Sequence, residues 1–255
     1  MNLGFIGTGN IVSDIVTGIS KSKISYKKII VSPRNKKKAQ YLKKKFRRVI
    51  IAKNNQALID MSDWVFLGVL PRIGENILPK LKFKKTQTIV SFMSTTSYSK
   101  LKKMIKKKSI IIRAIPMPPI RLGKGPVAIF PPNKKVKNFF DKIGSTIEIR
   151  NEKLSMNFWS TSGMMASYYE LLKVMSGWLV KRGIKRLDAQ KYITTLFLAL
   201  SEDAVVNSKK ELKYLVKESQ TPKGLNEQGL KEMTKKGVYK SLINTLNSIH
   251  KRLNK

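Results

Sequence analysis

Short apolar runs alternate with amphipathic stretches through about residue 150 of the chain. Seven runs rich in Ile, Val, Leu and Phe are predicted to be strands, at residues 3–6, 27–32, 49–52, 64–69, 88–92, 110–115 and 126–130. Continuous apolar runs separated by helices are typical of parallel strands that are covered on both faces. The pattern predicts a Rossmann-type, doubly wound parallel α/β sheet that binds its ligand at the carboxyl ends of the strands.

The pattern changes beyond about residue 152, where apolar positions recur at helical spacing and no strand is predicted. Helices are expected at residues 154–165, 166–182, 188–208 and 229–253. The stretch 168–180 is apolar nearly all the way round, and such a helix is buried in a large core or against another subunit. We therefore expect a dinucleotide-binding domain over residues 1–152 and an all-helical domain over residues 153–255 that forms a dimer.

The first predicted strand leads into a glycine turn and then into a helix. Residues 3–12 read Leu-Gly-Phe-Ile-Gly-Thr-Gly-Asn-Ile-Val. Gly7 permits a tight turn, and Gly9 lets the backbone approach a pyrophosphate at the positive end of the following helix. This context favours a dinucleotide site, and the alternative is a purely structural glycine turn. Val12 replaces the third small residue of the fingerprint, so we expect the helix to pack less tightly on the strand.

The end of the second strand predicts which dinucleotide is bound. An NAD-selective site places Asp or Glu there to bind the ribose 2′-OH, but no acid occurs between Asp14 and Asp60. The strand instead ends in Ser32, Arg34 and Asn35, and a guanidinium matches the geometry of a phosphate. These residues predict a clamp for the 2′-phosphate of NADPH. The alternative is a solvated basic helix start.

Charge and composition narrow the remaining possibilities. The net charge is +37, from 52 basic and 15 acidic side chains, which raises nucleic acid as a partner. The lysines are spread over nearly every segment without a nucleic-acid motif, so we interpret them mainly as solvated surface. The absence of cysteine and the single histidine, His250, argue against disulfides and against a zinc or iron site. With no leader and no membrane-length apolar run, we expect a cytoplasmic protein without a membrane partner.

Several segments along the whole chain resemble the pyrroline-5-carboxylate reductase family. Residues 5–10 are similar to its opening Phe-Ile-Gly-x-Gly-Asn, and residues 32–35 to its NADP-selecting strand end. Residues 68–71 resemble its Ala-Val-Lys-Pro, residues 112–117 its Val-Arg-x-Met-Pro-Asn, and residues 221–226 its Ser-Pro-Gly-Gly-x-Thr. The resemblance implies a Rossmann domain followed by a helical dimerisation and substrate domain. It also implies NADPH-dependent reduction of a cyclic imine, pyrroline-5-carboxylate to proline or a related substrate.

The expected cofactor contacts lie in the glycine turn, at the end of the second strand, and in the loops after the fourth and fifth strands. They are Gly7, Thr8, Gly9, Asn10, Ile11, Ser32, Arg34, Asn35, Val69, Leu70, Pro71 and Met93.

The resemblance also implies two substrate segments in the helical half. Residues 161–166 stand where the family has Ser-Gly-Ser-Gly-Pro-Ala, so Ser162 and Gly163 are expected to bind substrate. Lys223 and Gly224 are expected to bind substrate as well, and Lys223 is either a carboxylate anchor or one more exposed lysine. Asn226 is the expected catalytic donor to the imine nitrogen, in place of a family Thr.

Substitutions near these segments keep more than one function open. Met164 and Met165 replace the family's Gly-Pro, Met117 replaces an Asn, and Leu70 replaces a Lys. If the methionines line the pocket, they favour a larger imine or a ketone as substrate. The alternative outside the enzymes is a catalytically silent NADPH-binding paralogue that acts as an interaction protein.

Overall fold

The computed structural model describes residues 1–106 and 109–253. The chain forms two compact units, Met1–Ser155 and Met156–Lys255. Unit 1 contains eight strands of one sheet: β1 Asn2–Ile6, β2 Lys28–Val31, β3 Val49–Ile51, β4 Trp64–Leu67, β5 Thr88–Ser91, β6 Ile110–Pro116, β7 Pro126–Phe130 and β8 Ser145–Glu148. Its helices are α1 Asn10–Lys21, α2 Lys36–Lys45, α3 Asn55–Asp60, α4 Pro71–Ile77, α5 Tyr98–Ile105 and α6 Lys134–Phe140.

The sheet has the order β3-β2-β1-β4-β5-β6-β7-β8, and the strands from β1 to β6 pair in parallel. The order reverses between β1 and β4, so the crevice at their carboxyl ends is the expected ligand position. Successive residues of β1 and β4 alternate between two cores. Phe5 and Phe66 belong to one core, where their rings stack 4.5 Å apart, whereas Ile6 and Leu67 belong to the other. Both faces of the sheet are therefore covered, as the apolar runs predict.

The sheet is mixed because β7 pairs with β6 antiparallel, while β8 pairs with β7 in parallel. Only residues 117–125 connect β6 to β7, and a parallel crossover needs a dozen or more residues. The expectation of a wholly parallel sheet is therefore wrong for the last two strands. Strand β8 has no apolar run, since it is a largely exposed edge strand, and the apolar pattern does not predict it.

Unit 2 is helical, with α7 Ser155–Ser162, α8 Met165–Val180, α9 Arg186–Val206, α10 Leu212–Glu218, α11 Leu225–Lys235 and α12 Val238–Leu253. The predicted single helix over 229–253 is wrong, because Gly237 adopts φ +72° and separates α11 from α12. Such a left-handed glycine after the last turn is a common helix ending.

The helices of unit 2 leave much apolar surface exposed in the single chain. Tyr169 and Trp178 of α8 are 57% and 54% exposed, and Val206 of α9 is 82% exposed. The predicted burial of α8 is therefore absent within one chain and requires another surface. No helix in residues 1–106 or 109–253 combines the length and the apolar character needed to cross a membrane.

Candidate functional site

The turn between β1 and α1 has the geometry of an anion site. Gly7 adopts φ +96°, and a Cβ atom there would lie 2.5 Å from the carbonyl oxygen of Gly68, so no other residue fits without a shift. Gly9 caps α1, and a Cβ atom on it would meet nothing within 4 Å. No side chain caps the helix at Gly9, so N–H groups of its first turn face open space beside the turn.

The close packing of α1 on the sheet survives the replacement at Val12. Val12 is fully buried, and a Cβ atom on Gly68 would lie 2.1 Å from its Cγ2. The valine therefore occupies the space that Gly68 leaves empty at the end of β4. Val12 can pack closely here because the small residue of this contact is Gly68 at the strand end.

A second set of bonds fixes the glycine turn to the end of β2. The Gly7 N–H donates to Ser32 Oγ at 2.9 Å, and Thr8 Oγ1 donates to the Ser32 carbonyl at 2.9 Å. Ser32 is only 2% exposed. The structure therefore places this predicted cofactor residue beneath the turn, where its side chain holds Gly7 and Thr8.

The glycine turn opens into a cleft of about 570 Å³. Its lining is Gly7, Thr8, Gly9, Arg34, Asn35, Lys36, Gly68, Val69, Leu70 and Ile73. Seven predicted cofactor residues lie in this lining, whereas Asn10, Ile11, Ser32, Pro71 and Met93 lie outside it. Sequence reasoning missed Lys36, although it is the first residue of α2 and close in sequence to Arg34.

Two of the predicted residues outside the lining have other contacts. Asn10 Oδ1 accepts a hydrogen bond from Lys38 Nζ, which joins the starts of α1 and α2. Met93 is 1% exposed, and a Cβ atom on Gly74 of α4 would lie 2.4 Å from its Cε. The Met93 side chain therefore packs against α4, and its N–H and carbonyl are bonded to Ser91 Oγ and to the Thr96 N–H.

The β2 end of the cleft is strongly cationic. Arg34 and Lys36 are exposed, and within residues 1–106 and 109–253 no ion pair joins either of them to a carboxylate. Asn35 caps α2 by accepting a hydrogen bond from the Lys38 N–H, and the first turn of α2 contains no acid. The lysines and the positive end of the helix dipole repel each other. An anion bound here would therefore be stabilised by the lysine charges and by the dipole. This arrangement fits a phosphate group and lacks the acid of an NAD-selective site.

The loop after β5 is held by an ion pair in unit 1 whose arginine is buried. Arg113 of β6 is 2% exposed, and its Nη1 binds Glu152 Oε1. Arg113 Nη2 donates to the Ser94 carbonyl at 2.7 Å, and the Tyr98 N–H donates to Glu152 Oε1 at 2.7 Å. Burial lowers the pKa of the Arg113 guanidinium, and the neighbouring Glu152 opposes this shift. The ordinary pKa of arginine is so high that Arg113 stays protonated.

In unit 2, the predicted substrate turn over residues 221–226 is exposed and locally bonded. Lys223 adopts φ +61°, and its N–H donates to Glu227 Oε2 at 2.6 Å. The Gly224 N–H donates to the Thr221 carbonyl at 2.8 Å. Asn226 Nδ2 donates to the Ser219 carbonyl at 2.8 Å, so one amide hydrogen of the predicted catalytic donor is already used.

The other predicted substrate segment lies between α7 and α8. Ser162 Oγ donates to the Phe158 carbonyl at 3.1 Å, and a Cβ atom on Gly163 would lie 3.2 Å from Ile249 Cδ1 of α12. Met164 caps α8, so the helix break persists although two methionines replace Gly-Pro. Within residues 156–253, no hydrogen bond joins this segment to the turn at 221–226.

Two family models match the chain. The model described as NADP oxidoreductase coenzyme F420-dependent matches residues 2–95, and the model described as pyrroline-5-carboxylate reductase dimerisation matches residues 152–255. The pyrroline-5-carboxylate reductase of Synechocystis sp. is 25% identical over 263 residues, which cover 99% of this chain and 97% of that protein. Over nearly its whole length the chain is similar to pyrroline-5-carboxylate reductases. The resemblance found in the motifs is thereby confirmed. The dimerisation model over unit 2 also indicates a homo-oligomer.

Solved structures of pyrroline-5-carboxylate reductases have the same fold. The protein from Coxiella burnetii matches with a TM-score of 0.84 at 21% identity, covering 99% of this chain and 97% of that chain. The Plasmodium falciparum protein, solved with NADP bound, matches with a TM-score of 0.83 at 21% identity and the same coverage, 99% and 97%. The predicted fold class, a Rossmann-type sheet followed by a helical dimerisation domain, is confirmed.

Proposed function

We propose that this protein is an NADPH-dependent reductase that acts on the C=N bond of pyrroline-5-carboxylate or a related cyclic imine. NADPH supplies the hydride when it is bound. The hydride goes to the imine carbon, the nitrogen carries a proton, and the product is the cyclic secondary amine. The observation that carries the cofactor assignment is the cleft that joins the open glycine turn to the cations Arg34 and Lys36.

The residues of unit 1 bind and orient the cofactor in this proposal. Gly9 and the first turn of α1 would hold the pyrophosphate, since the space beside Gly9 is open and no side chain caps the helix. Arg34 and Lys36 would hold the 2′-phosphate with Asn35 beside them. Val69 and Leu70 form a less polar part of the lining, where Leu70 is 70% exposed.

The residues of unit 2 would supply the polar contacts of the substrate. Asn226 retains a second amide hydrogen for the imine nitrogen beside the one that Ser219 accepts. Lys223 is exposed and would attract the substrate carboxylate, with Gly224, Ser162 and Gly163 as the remaining predicted contacts. The exposed apolar side chains of α8 and α9 would be covered by a second copy of the chain, which makes the proposed assembly a homodimer or a multiple of it.

Cofactor choice is tested by calorimetric titration of NADPH and NADH. A hydrogen bond to a charged group contributes roughly 1.5–3 kcal/mol, so Arg34→Ala should weaken NADPH binding about tenfold or more and leave NADH binding nearly unchanged. Lys37→Ala is the control, because Lys37 is an exposed cation in the first turn of α2, three residues from Arg34 and outside the cleft lining. An equal loss for both cofactors would contradict the 2′-phosphate clamp.

The catalytic assignment is tested by steady-state NADPH oxidation with pyrroline-5-carboxylate and a panel of cyclic imines. Removal of one well-placed donor typically lowers the rate on the order of 10²-fold, so Asn226→Leu should depress kcat strongly. Asn226→Thr restores the family's hydroxyl and should leave kcat unchanged or raise it. Asn244→Leu is the control on exposed α12. Tight NADPH binding by the wild type without turnover on any imine would reject the reductase and leave a silent NADPH-binding protein.

A further inference from the structure

The loop between β5 and α5 is fixed from outside by groups that the proposed chemistry does not use. Arg113 bonds to the Ser94 carbonyl near one end of this loop, and Glu152 accepts from the Tyr98 N–H at the other end. The two side chains are themselves an ion pair. One buried guanidinium and one carboxylate therefore connect β6, the loop and the last residues of unit 1.

The loop satisfies only part of its own polar groups, with the Thr96 N–H donating to the Met93 carbonyl at 3.1 Å. Thr96 is 2% exposed, and its hydroxyl finds no hydrogen-bond partner in the part of the chain that the structure describes. Leaving a buried hydroxyl unpaired is unfavourable. The internal bond closes the turn over residues 93–96, and the bonds from Arg113 and Glu152 fasten the loop to β6 and to the last residues of unit 1 at Ser94 and Tyr98.

A short chain of contacts links this loop to the cofactor cleft. Ser94 follows Met93, whose Cε lies 2.4 Å from the position of a Cβ atom on Gly74. The Cγ2 atom of Val69, a residue of the cleft lining, lies 3.5 Å from the same position. Displacement of the loop would therefore move Met93 beneath α4 and disturb the wall of the cleft. The loop also lies at the carboxyl end of β5, next to the β4 end where the cleft opens.

We propose that Arg113 is a positioning residue that, together with Glu152, holds the Met93–Tyr98 loop and Val69 in the arrangement that orients the nicotinamide end of the cofactor. This inference rests on the proposed function, since it concerns the same cleft. It assigns no proton transfer and no substrate contact to Arg113. Arginine is required because its planar fork reaches Ser94 and Glu152 at once, whereas lysine has a single nitrogen.

The test uses the full chain with Arg113→Lys and Glu152→Gln. Arg113→Lys keeps the charge but bonds to only one of the two partners, and Glu152→Gln keeps the shape but loses the charge. If Arg113→Lys fails to fold, the nearly isosteric Glu152→Gln decides the question. Glu75→Gln is the matched control, because Glu75 pairs with Lys100 at the exposed surface, with side chains 40% and 51% exposed.

Two readouts are measured, amide hydrogen exchange and steady-state kinetics. Exchange over residues 94–98 should rise about tenfold or more in both variants, while exchange over residues 2–20 stays unchanged. With NADPH as the varied substrate, kcat should fall about tenfold while KM changes less than threefold, because the phosphate contacts remain intact. Glu75→Gln should change neither readout. Unchanged exchange in the loop, or unchanged kcat despite faster exchange, would overturn the proposal.

A separate outcome distinguishes failure of the proposed function. If the wild type reduces none of the imines, the reductase is rejected, and the positioning role is judged by exchange and by the fluorescence of bound NADPH. The variants should then lose at least half of the emission enhancement that the wild type gives, while the calorimetric Kd changes less than threefold. Equal enhancement in the wild type and the variants would overturn the positioning role.

Discussion

The contact between Val12 and Gly68 allows a quantitative test of how α1 is placed on the sheet. A methyl group added at Gly68 would lie 2.1 Å from Val12 Cγ2, whereas carbon atoms pack at about 3.5–4.0 Å. Relief of this overlap requires a shift of α1 or a new rotamer of a fully buried side chain. Gly68→Ala should therefore lower the free energy of unfolding of unit 1 by about 2 kcal/mol, within the usual range for overpacking.

The reciprocal substitution removes volume from the same place. Val12→Ala deletes two buried methyl groups, and at roughly 0.8 kcal/mol each plus a cavity contribution it should lower the free energy of unfolding by about 2–3 kcal/mol. In Val12→Ala/Gly68→Ala, the new methyl group occupies the space that the valine has left. The double variant should therefore lose only about 2 kcal/mol, which corresponds to a coupling of about 2–3 kcal/mol.

Native-state amide exchange of β1 is the suitable assay, because it reports the opening of unit 1 without contribution from the helices of unit 2. The free energies of the wild type, both single variants and the double variant complete the cycle. Val16→Ala is the control partner for Gly68→Ala, since Val16 is also fully buried on α1 but contributes none of the three atoms nearest to a Cβ atom on Gly68. Additive losses for Val12 and Gly68 would refute the conclusion that one compensates for the other.

Three further predictions follow from other parts of the molecule. Lys223→Gly should raise the free energy of unfolding by roughly 0.5–1 kcal/mol, because a lysine is strained at φ +61° and glycine is not. Lys106→Gly, at φ +54°, should have the same effect in thermal melts. Lower stability in both variants would contradict the strain. Burial raises the pKa of Asp141, but hydrogen bonds from Lys137 and Thr146 outweigh it and hold the pKa below its ordinary value. Asp141 therefore stabilises the fold above its unfolded pKa of about 3.9, and this stability is lost as pH falls through the lower folded pKa. Asp141→Asn should be less stable than the wild type at neutral pH by under about 1 kcal/mol, with no difference in strong acid. The two free energies of unfolding are measured by urea titration at a series of pH values, and a difference that does not change with pH would contradict this. Light scattering should give a mass of at least twice the 29.0 kDa of the chain. A clean monomer would contradict the proposal that a second copy covers the apolar side chains of unit 2.

The sequence predicts the features of the fold that come from local pattern. Strands β1 to β7 are apolar runs, and the glycine turn is recognisable because strand, glycines and helix follow one another. Strand β8 has no apolar run because it lies exposed at an edge, and its existence depends on pairing with β7. The break between α11 and α12 depends on the left-handed conformation of Gly237, which helical spacing does not reveal.

The site was predictable where one segment contains the whole signal. Gly7, Gly9 and Arg34, which were predicted from such segments, line the cleft. The compensation between Val12 and Gly68 was not predictable, because it joins residues far apart in sequence that meet only when β4 pairs with β1. The burial of Ser32 was hidden for the same reason, since its hydroxyl faces the backbone of a neighbouring turn.

Hydride transfer from NADPH to a cyclic imine can be followed with deuterated cofactor. The wild-type chain is incubated with pyrroline-5-carboxylate and NADPH that carries deuterium at the transferable position of the nicotinamide, and the product is analysed by mass spectrometry. The product should be proline that contains one deuterium at the former imine carbon, and NADH should be a poorer donor than NADPH. Absence of labelled product with this imine and with the whole panel, under conditions where calorimetry shows bound NADPH, would refute imine reduction by this protein.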